Sequence, residues 1–194
     1  MKVETAAALA ERRIRESLEA QQRLLAREIT ASVARAAEAI SRALERGGKL
    51  LVFGNGGSAS DATHIAAEMV GRFVLERRGL PAVALADNSS AVTAIANDYG
   101  YERVFARQLE ALARPGDVAL AISTSGRSAN VLAGLEAARA AGVTTIALTG
   151  DQGSEMAELA DVCIAAPATE TPRVQECHAL VAHILCELVE LEFA

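Results

Sequence analysis

His64 and Glu68 lie four residues apart at the end of the stretch GNGGSASDATHIAAE, residues 54–68. Residues at this spacing share one face of a helix, so the imidazole and the carboxylate can bind one metal ion or transfer protons at one place. The last part of the chain repeats these residue types with Gln175, His178, His183 and Glu187. Such side chains suit Zn²⁺ or a similar divalent ion better than Ca²⁺. A solvated pair on a helix surface is the alternative interpretation of the His64–Glu68 spacing.

Two loops rich in glycine or hydroxyl groups follow predicted strands. The first is GNGGS at residues 54–58, and the second is STSGRS at residues 123–128. Glycines let the backbone approach a ligand closely, and hydroxyls next to a helix N-terminus can surround a phosphate. Ligands bind beyond the carboxyl ends of parallel strands, where both loops would lie. Each loop alone is equally well explained as a helix cap, but two loops at one sheet edge favour a sugar-phosphate site.

The first loop also fits the dinucleotide-binding pattern G-x-G-x-x-A. Gly54, Gly56 and Ala59 match the pattern, and Asp87 follows the second predicted strand, where a ribose-binding acid would stand. This interpretation leaves the second loop and the His64–Glu68 pair without a role. We therefore rank it below a sugar-phosphate site.

The elements that must position these groups follow an alternating pattern. Apolar runs at residues 50–53, 82–86, 117–123, 143–148 and 162–166 alternate with helical stretches. This order predicts an α/β fold with a five-stranded parallel sheet sandwiched by helices. An N-terminal extension is predicted as two helices, one to about Glu28 and one from Thr30 or Ser32 to Gly47-Gly48. A last helix is predicted from about Pro172 to Phe193.

Composition narrows the class of protein. The chain has 194 residues, of which 51% are hydrophobic and 23% charged, as in a single globular domain. Its net charge of −6, without basic clusters, argues against a nucleic-acid surface, and no segment is apolar enough to span a membrane. Cys163, Cys177 and Cys186 have no C-x-x-C spacing. We therefore expect free thiols in a reducing cytoplasm.

Four motifs follow one another along the chain: GNGGS-x-x-DA-x-H-x-x-x-E, AIANDYGYE at 94–102, ISTSGRSANV at 122–131, and TPRVQECH at 171–178 followed by His183. This ordered set resembles that of the phosphoheptose isomerases. That family belongs to the sugar-isomerase, or SIS, class of sugar-phosphate-binding domains. The resemblance spans nearly the whole chain. It implies one SIS domain over residues 1–194, with a flavodoxin-like sheet and residues 1–47 as a helical lead-in. It also implies a cytoplasmic homotetramer that uses zinc.

The activity implied by the resemblance is interconversion of sedoheptulose 7-phosphate and D-glycero-D-manno-heptose 7-phosphate, the entry step to bacterial heptose precursors. Glu68 and His183 would handle protons through an enediolate, and Gln175 would also touch the substrate. The implied sugar-binding residues are Asn55, Gly56, Gly57, Asn97 and Asp98. The implied phosphate-binding residues are Ser123, Thr124, Ser125 and Ser128. The implied zinc ligands are His64, Glu68, Gln175 and His183. Thr63 stands where many relatives have glutamine, but it faces away from the face that His64 and Glu68 share.

The spacing of Gln175 and His183 bears on assembly. Eight residues span about 12 Å along a helix, so one zinc cannot easily take both ligands from one straight helix. Either Gln175 precedes the regular helix or bends back, or the two ligands come from different chains. We expect the second arrangement, with His64 and Glu68 meeting the terminal helix of an associated chain at a subunit interface. The apolar residues that could form a bundle between subunits include Leu9, Ile14, Leu18 and Leu25.

Two alternative functions belong to other classes. Some SIS-domain proteins bind partners without catalysis, for example by associating with a replication initiator, and fold does not decide function. A protein that only binds has no need of His64, Glu68 and His183 together, which favours an enzyme. Isomerisation of another sugar phosphate is the second alternative, because contacts to a phosphate and to hydroxyl groups do not determine the number of carbons in the sugar.

Overall fold

A five-stranded, fully parallel sheet lies at the centre of the computed structural model, which describes residues 5–150 and 155–194. The strand order is β2-β1-β3-β4-β5. The strands are β1 (Leu50–Gly54), β2 (Ala82–Ala84), β3 (Val118–Ser123), β4 (Thr144–Thr149) and β5 (Val162–Ala165). The predicted α/β fold and its five-stranded parallel sheet are confirmed, and this strand order is the flavodoxin-like one.

Helices cover both faces of this sheet. They are α1 (Ala6–Arg23), α2 (Arg27–Glu45), α3 (Gly57–Val70), α4 (Ser89–Tyr99), α5 (Ala106–Leu112), α6 (Ala129–Ala140), α7 (Glu155–Leu159) and α8 (Thr171–Leu191). A 3₁₀ turn, Tyr101–Arg103, joins α4 to the segment that leads into α5. Because β1 and β5 are parallel, α3 and α8 both begin at the carboxyl edge of the sheet and run towards its amino edge.

The alternation of side chains along β1 divides the core into two layers. Leu50 and Val52 face α2, α3 and α8, whereas Leu51 and Phe53 face the side of α5 and α6. All four residues are completely buried, so β1 is covered on both faces. A strand buried on both faces is a continuous apolar run, which explains why the strands were visible in the sequence.

The boundary between the first two helices was predicted too late in the chain. We expected the first helix to reach about Glu28 and the second to open at Thr30 or Ser32, but α1 ends at Arg23 and α2 begins at Arg27. Leu24 and Ile29 on either side of the turn are both buried in the core. Packing therefore decides the turn, because Ala26 at the N-cap makes no side-chain capping hydrogen bond.

Asp117 organises the amino-terminal edge of the sheet. Its carboxylate accepts hydrogen bonds from the backbone N–H groups of Lys49 (2.9 Å) and Arg114 (2.8 Å). The Lys49 ammonium lies 2.6 Å from the same carboxylate. This buried anchor ties the start of β1 to the start of β3. Among the helices of residues 5–150 and 155–194, none has the length and apolar character needed to cross a membrane.

Candidate active site

The glycine loop forms a tight turn between β1 and α3. Gly56 has φ of +56°, a conformation that favours glycine. The backbone N–H groups of Ser58 and Ala59 donate to Asn55 O and Gly56 O, both at 3.0 Å. These N–H groups are thus used inside the turn. Neither of these two N–H groups is therefore free to bind an anion.

His64, Glu68 and His183 come together where α3 packs against α8. His64 Nε2 lies 3.0 Å from His183 Nε2, and Glu68 Oε1 lies 3.7 Å from His64 Nε2. The two imidazole rings meet edge to face, and the Phe73 ring packs on His183 with centroids 5.6 Å apart. Both histidines are exposed, so ligands can reach them.

This meeting takes place within one chain. The expectation that the terminal helix of a second chain supplies His183 is wrong, because α3 and α8 lie side by side on the same face of the sheet. Gln175 belongs to the same helix, within its first two turns. Its amide lies against Gly57, where a Cβ atom would collide with it. We call the surface formed by Gly57, His64, Glu68, Gln175 and His183 the α3–α8 seam.

Two interpretations fit the pair of imidazole nitrogens. Either one ring donates a hydrogen bond to the other, or both present lone pairs to a shared cation. Two nitrogens bound to one zinc at about 2 Å lie about 3.3 Å apart in a tetrahedral site, close to the 3.0 Å seen here. In the part of the chain that the structure describes, no group of three or more His, Cys, Asp or Glu residues forms a ready-made metal site.

A hydroxyl cluster lies at the carboxyl end of β3. Ser123 Oγ is 3.1 Å from Ser128 Oγ and 3.4 Å from Ser125 Oγ, and Gly126 has φ of +64° within the turn. Ser128 occupies the N-cap position of α6, yet its side chain makes no capping hydrogen bond. A pure helix cap therefore does not account for Ser128, and the convergent hydroxyls suit an anion.

The Asn55 side chain is held by two residues that the sequence analysis missed. Asn55 Nδ2 donates to Asn130 Oδ1 (2.8 Å), and Asn130 Nδ2 donates back to Asn55 Oδ1 (2.9 Å). The Tyr101 hydroxyl donates to Asn55 Oδ1 as well, at 3.1 Å. Because two donors occupy Oδ1, the remaining capacity of Asn55 is its second Nδ2 hydrogen, which can donate to a sugar oxygen. Both residues stood inside the quoted motifs, but no spacing rule linked them to Asn55.

The remaining predicted sugar-binding residues lie at the end of α4. Asn97 and Asp98 are exposed, and the Asn97 amide donates to the Asp98 carboxylate at 2.8 Å. Asp87, the acid of the dinucleotide interpretation, accepts a hydrogen bond from the Thr63 hydroxyl. Because this carboxylate is already engaged, its availability to a ribose is reduced. Thr63 thus points to Asp87 and not to the His64 face.

Burial shifts the pKa of two titratable groups on the helices of the site, His178 and Asp61. His178, which the sequence grouped with His183, is completely buried, and burial lowers its pKa to about 4 despite an opposing effect of the Thr149 backbone. It is therefore neutral at neutral pH. Asp61 lies one turn before His64 on α3; burial raises the pKa of its carboxyl, and the charge of His64 opposes this. Asp61 stands inside the quoted motif GNGGS-x-x-DA-x-H-x-x-x-E, but the sequence assigned it no role.

Comparisons with known proteins find relatives that match most of the chain. The family model described as SIS domain matches residues 14–150. The phosphoheptose isomerase of Roseiflexus sp. strain RS-1 is 56% identical over 154 residues, which cover 79% of this chain and 78% of the relative. The solved phosphoheptose isomerase of Neisseria gonorrhoeae is 42% identical with a TM-score of 0.83, covering 95% of this chain and 96% of that one. That of Francisella tularensis is 34% identical with a TM-score of 0.92, covering 96% and 99%.

Gly57→Ala tests whether the glycine turn exists to admit the Gln175 amide. A Cβ at position 57 would displace the flexible end of Gln175, so we expect the fold to survive and isomerase turnover to fall about tenfold to a hundredfold. Steady-state kinetics would measure this, with Gln175→Ala as the matched control. The double variant should be no slower than Gln175→Ala alone. Losses that multiply in the double variant would show that Gly57 acts independently of Gln175.

Proposed function

This chain belongs to the phosphoheptose isomerase family of SIS-domain proteins, and we propose that it performs its aldose-ketose isomerisation at the α3–α8 seam. The reaction interconverts sedoheptulose 7-phosphate and D-glycero-D-manno-heptose 7-phosphate. The observation that carries the assignment of the site is the meeting of His64, Glu68 and His183 in one chain. Because the chain is an enzyme of this family, the alternative of a protein that only binds partners is set aside.

Glu68 is proposed as the base and His183 as the second proton carrier. Isomerisation moves a proton between adjacent carbons through an enediolate. Glu68 would take the proton from one carbon and return it to the neighbouring carbon, while His183 would give a proton to the carbonyl oxygen and take one from the adjacent hydroxyl. The net result is the isomer, with both side chains returned to their starting states. The contacts of the Phe73 and His64 rings with His183 support this role, because they restrict the orientation of its ring.

The phosphate is proposed to bind at the hydroxyl cluster. The residues assigned to it are Ser123, Thr124, Ser125 and Ser128. Their position at the start of α6 adds the positive end of the helix dipole. Anchoring the phosphate there would hold the reacting carbons at a fixed distance from Glu68. The assigned sugar-hydroxyl contacts are Asn55, Gly56, Gly57, Asn97 and Asp98, of which Asn55 is oriented as a donor by Asn130 and Tyr101.

We propose that His64, Glu68, Gln175 and His183 hold a zinc ion. Because Gln175 stands two turns before His183 on the same helix, its side chain would have to bend back along α8 to reach an ion shared with His183. The donor set suits zinc, and the separation of the two imidazole nitrogens is compatible with a shared ion. When bound, zinc would polarise the sugar carbonyl and stabilise negative charge on its oxygen. Glu68 has a second carboxylate oxygen and His183 a second ring nitrogen, so each could bind the ion through one atom and transfer protons through the other.

A homotetramer with its sites at subunit interfaces is also proposed, in the cytoplasm. The support for assembly is an exposed apolar surface beside the site, formed by Leu180, Ile184 and Leu188 on α8. The exposed apolar residues of the N-terminal segment are Leu9, Ile14 and Leu18 on α1 and Leu25 in the turn that follows it. A second copy covering these residues would also close the open side of the seam. All three cysteines are free thiols, which agrees with a reducing compartment.

Incubation with sedoheptulose 7-phosphate in the presence of zinc tests the function. We expect the aldose product to appear in NMR spectra, and Glu68→Gln to lower turnover about a hundredfold to ten-thousandfold, because the amide cannot accept the proton. Circular dichroism should show an intact fold in the variant. Faster conversion of a six-carbon or amino-sugar phosphate would contradict the heptose assignment. Near-normal turnover by folded Glu68→Gln would contradict the assignment of the base.

Replacing Ser123 and Ser125 together with alanine tests the phosphate site. The double variant should bind the phosphorylated sugar at least about tenfold more weakly, because two hydroxyl donors are lost, and should bind the unphosphorylated sugar almost unchanged. Isothermal titration calorimetry with the two ligands measures the difference. Equal losses for both ligands would place the phosphate elsewhere.

Ile184→Glu tests the proposed interface. Ile184 is exposed next to His183, so a carboxylate there would oppose association with an apolar partner surface. We expect analytical ultracentrifugation to show smaller species and the isomerase assay to show lower activity. The matched control is Leu112→Glu, at an exposed leucine of α5 on the other side of the sheet, which should leave assembly unchanged. An unaltered tetramer in Ile184→Glu would exclude this face from the interface.

A further inference from the structure

The segment between α3 and β2 is held by one buried carboxylate. Glu190, near the end of α8, accepts hydrogen bonds from three consecutive backbone N–H groups, those of Phe73 (2.8 Å), Val74 (2.7 Å) and Leu75 (2.7 Å). Arg77 Nε lies 3.2 Å from Glu190 Oε1 as an ion pair. Both side chains are almost completely buried. One residue of α8 thus orders a segment that has no regular secondary structure.

Arg77 connects this anchor to the end of α3. Its Nη2 donates to the backbone carbonyl of Glu68 (2.8 Å), and its Nη1 donates to Met69 O (2.9 Å) and, more weakly, to Gly71 O (3.3 Å). The last carbonyls of a helix have no partner within the helix and carry partial negative charge. A guanidinium fork is suited to several of them at once. Arg77 therefore caps the helix that carries the proposed base.

The charge on Glu190 is secured by its surroundings. Burial raises the pKa of its carboxyl, but the N–H groups of Leu75, Val74 and Phe73 and the charge of Arg77 outweigh burial, so the pKa lies below its ordinary value. The carboxylate is therefore ionised at neutral pH, and both of its oxygens are engaged. A neutral amide could not accept all of these contacts.

This network touches the site at three points. Arg77 binds the carbonyl of Glu68 itself, Phe73 packs on the His183 ring, and Glu190 lies two helical turns after His183 on α8. The distance between Glu68 on one helix and His183 on the other depends on how the ends of α3 and α8 are joined. Glu190 and Arg77 make that connection.

We propose that Glu190 and Arg77 are positioning residues of the isomerase, which hold Glu68 and Phe73 in register with His183. Neither side chain touches the substrate. The inference rests on the proposed function of the seam. A positioning role means that loss of this buried ion pair lowers turnover, whereas loss of an ion pair that only stabilises the fold lowers stability alone.

The chain offers a matched control for that distinction. Asp117, at the amino edge of the sheet, is likewise a buried carboxylate that accepts backbone N–H groups and pairs with one cation, Lys49. It joins the starts of β1 and β3, away from the seam. Glu190→Gln and Asp117→Asn therefore remove the same kind of interaction at two different places.

We expect both variants to lose thermal stability, but only Glu190→Gln to lose turnover. Its kcat should fall about tenfold to a hundredfold, because Glu68 and His183 lose their relative position. Its KM should stay within about threefold of the parent, because the hydroxyl cluster is untouched. Asp117→Asn should keep the parental kcat. Amide hydrogen exchange should speed up over residues 68–77 in Glu190→Gln and not in Asp117→Asn.

Arg77→Lys keeps the positive charge opposite Glu190 but loses the guanidinium hydrogen bond to the Glu68 carbonyl. This variant tests the positioning role if Glu190→Gln does not fold. We expect its kcat to fall by a similar factor with the fold intact. Parental kcat in folded Glu190→Gln or Arg77→Lys would overturn the proposal, as would unchanged hydrogen exchange over residues 68–77. An inactive parent enzyme would instead refute the proposed function, while the exchange data would still report on the network.

Discussion

The packing of α3 beside α8 on one face of the sheet is the constraint on which the site depends. Ala62, Ile65 and Ala66 of α3 are buried in the same core layer as Ala182 and Leu185 of α8. Small residues on both helices allow the backbones to approach closely. Because the buried faces point into this layer, the residues at the rims of the two faces meet at the seam. His64 and His183 are such residues, which is why their nitrogens come within 3.0 Å.

The parallel sheet adds the second half of the site. Strands β1 and β3 are neighbours that end at the same edge, so the glycine turn and the hydroxyl cluster must lie next to each other. The reciprocal amide pair of Asn55 and Asn130 joins the two loops directly. In the proposed function, the phosphorylated sugar contacts both loops and its reacting carbons reach the seam. The sheet would then position the phosphate, and the helix pair would position the proton-transfer groups.

Buried carboxylates secure this arrangement at two places. Asp117 gathers backbone N–H groups at the amino edge near β1 and β3, and Glu190 gathers them between α3 and β2. Removing one partner from such a pair typically costs about 3–5 kcal/mol, because a charge is left buried without compensation. Both carboxylates therefore hold segments that lie outside the regular strands and helices.

The sequence by itself determined the sheet, the helices and the residue types of the site. Strands buried on both faces are apolar runs, and the His64–Glu68 pair follows from helical spacing, so local periodicity was sufficient for both. Local periodicity was not sufficient for contacts between distant residues. His64 and His183 are separated by 119 residues, Asn55 and Asn130 by 75, and Phe73 and Glu190 by 117.

Only the tertiary structure decided which of these distant groups meet. His178 and His183 have the same residue type and stand on the same helix, yet one is completely buried and the other is exposed at the seam. Whether each histidine is buried depends on which side of α8 faces the sheet, and packing determines that side. The turn between α1 and α2 was placed by the burial of Leu24 and Ile29 for the same reason. Residue types and their spacing thus specify which functional groups a site can contain. The free energy of packing specifies which chain within an assembly, and which side of a helix, supplies those groups.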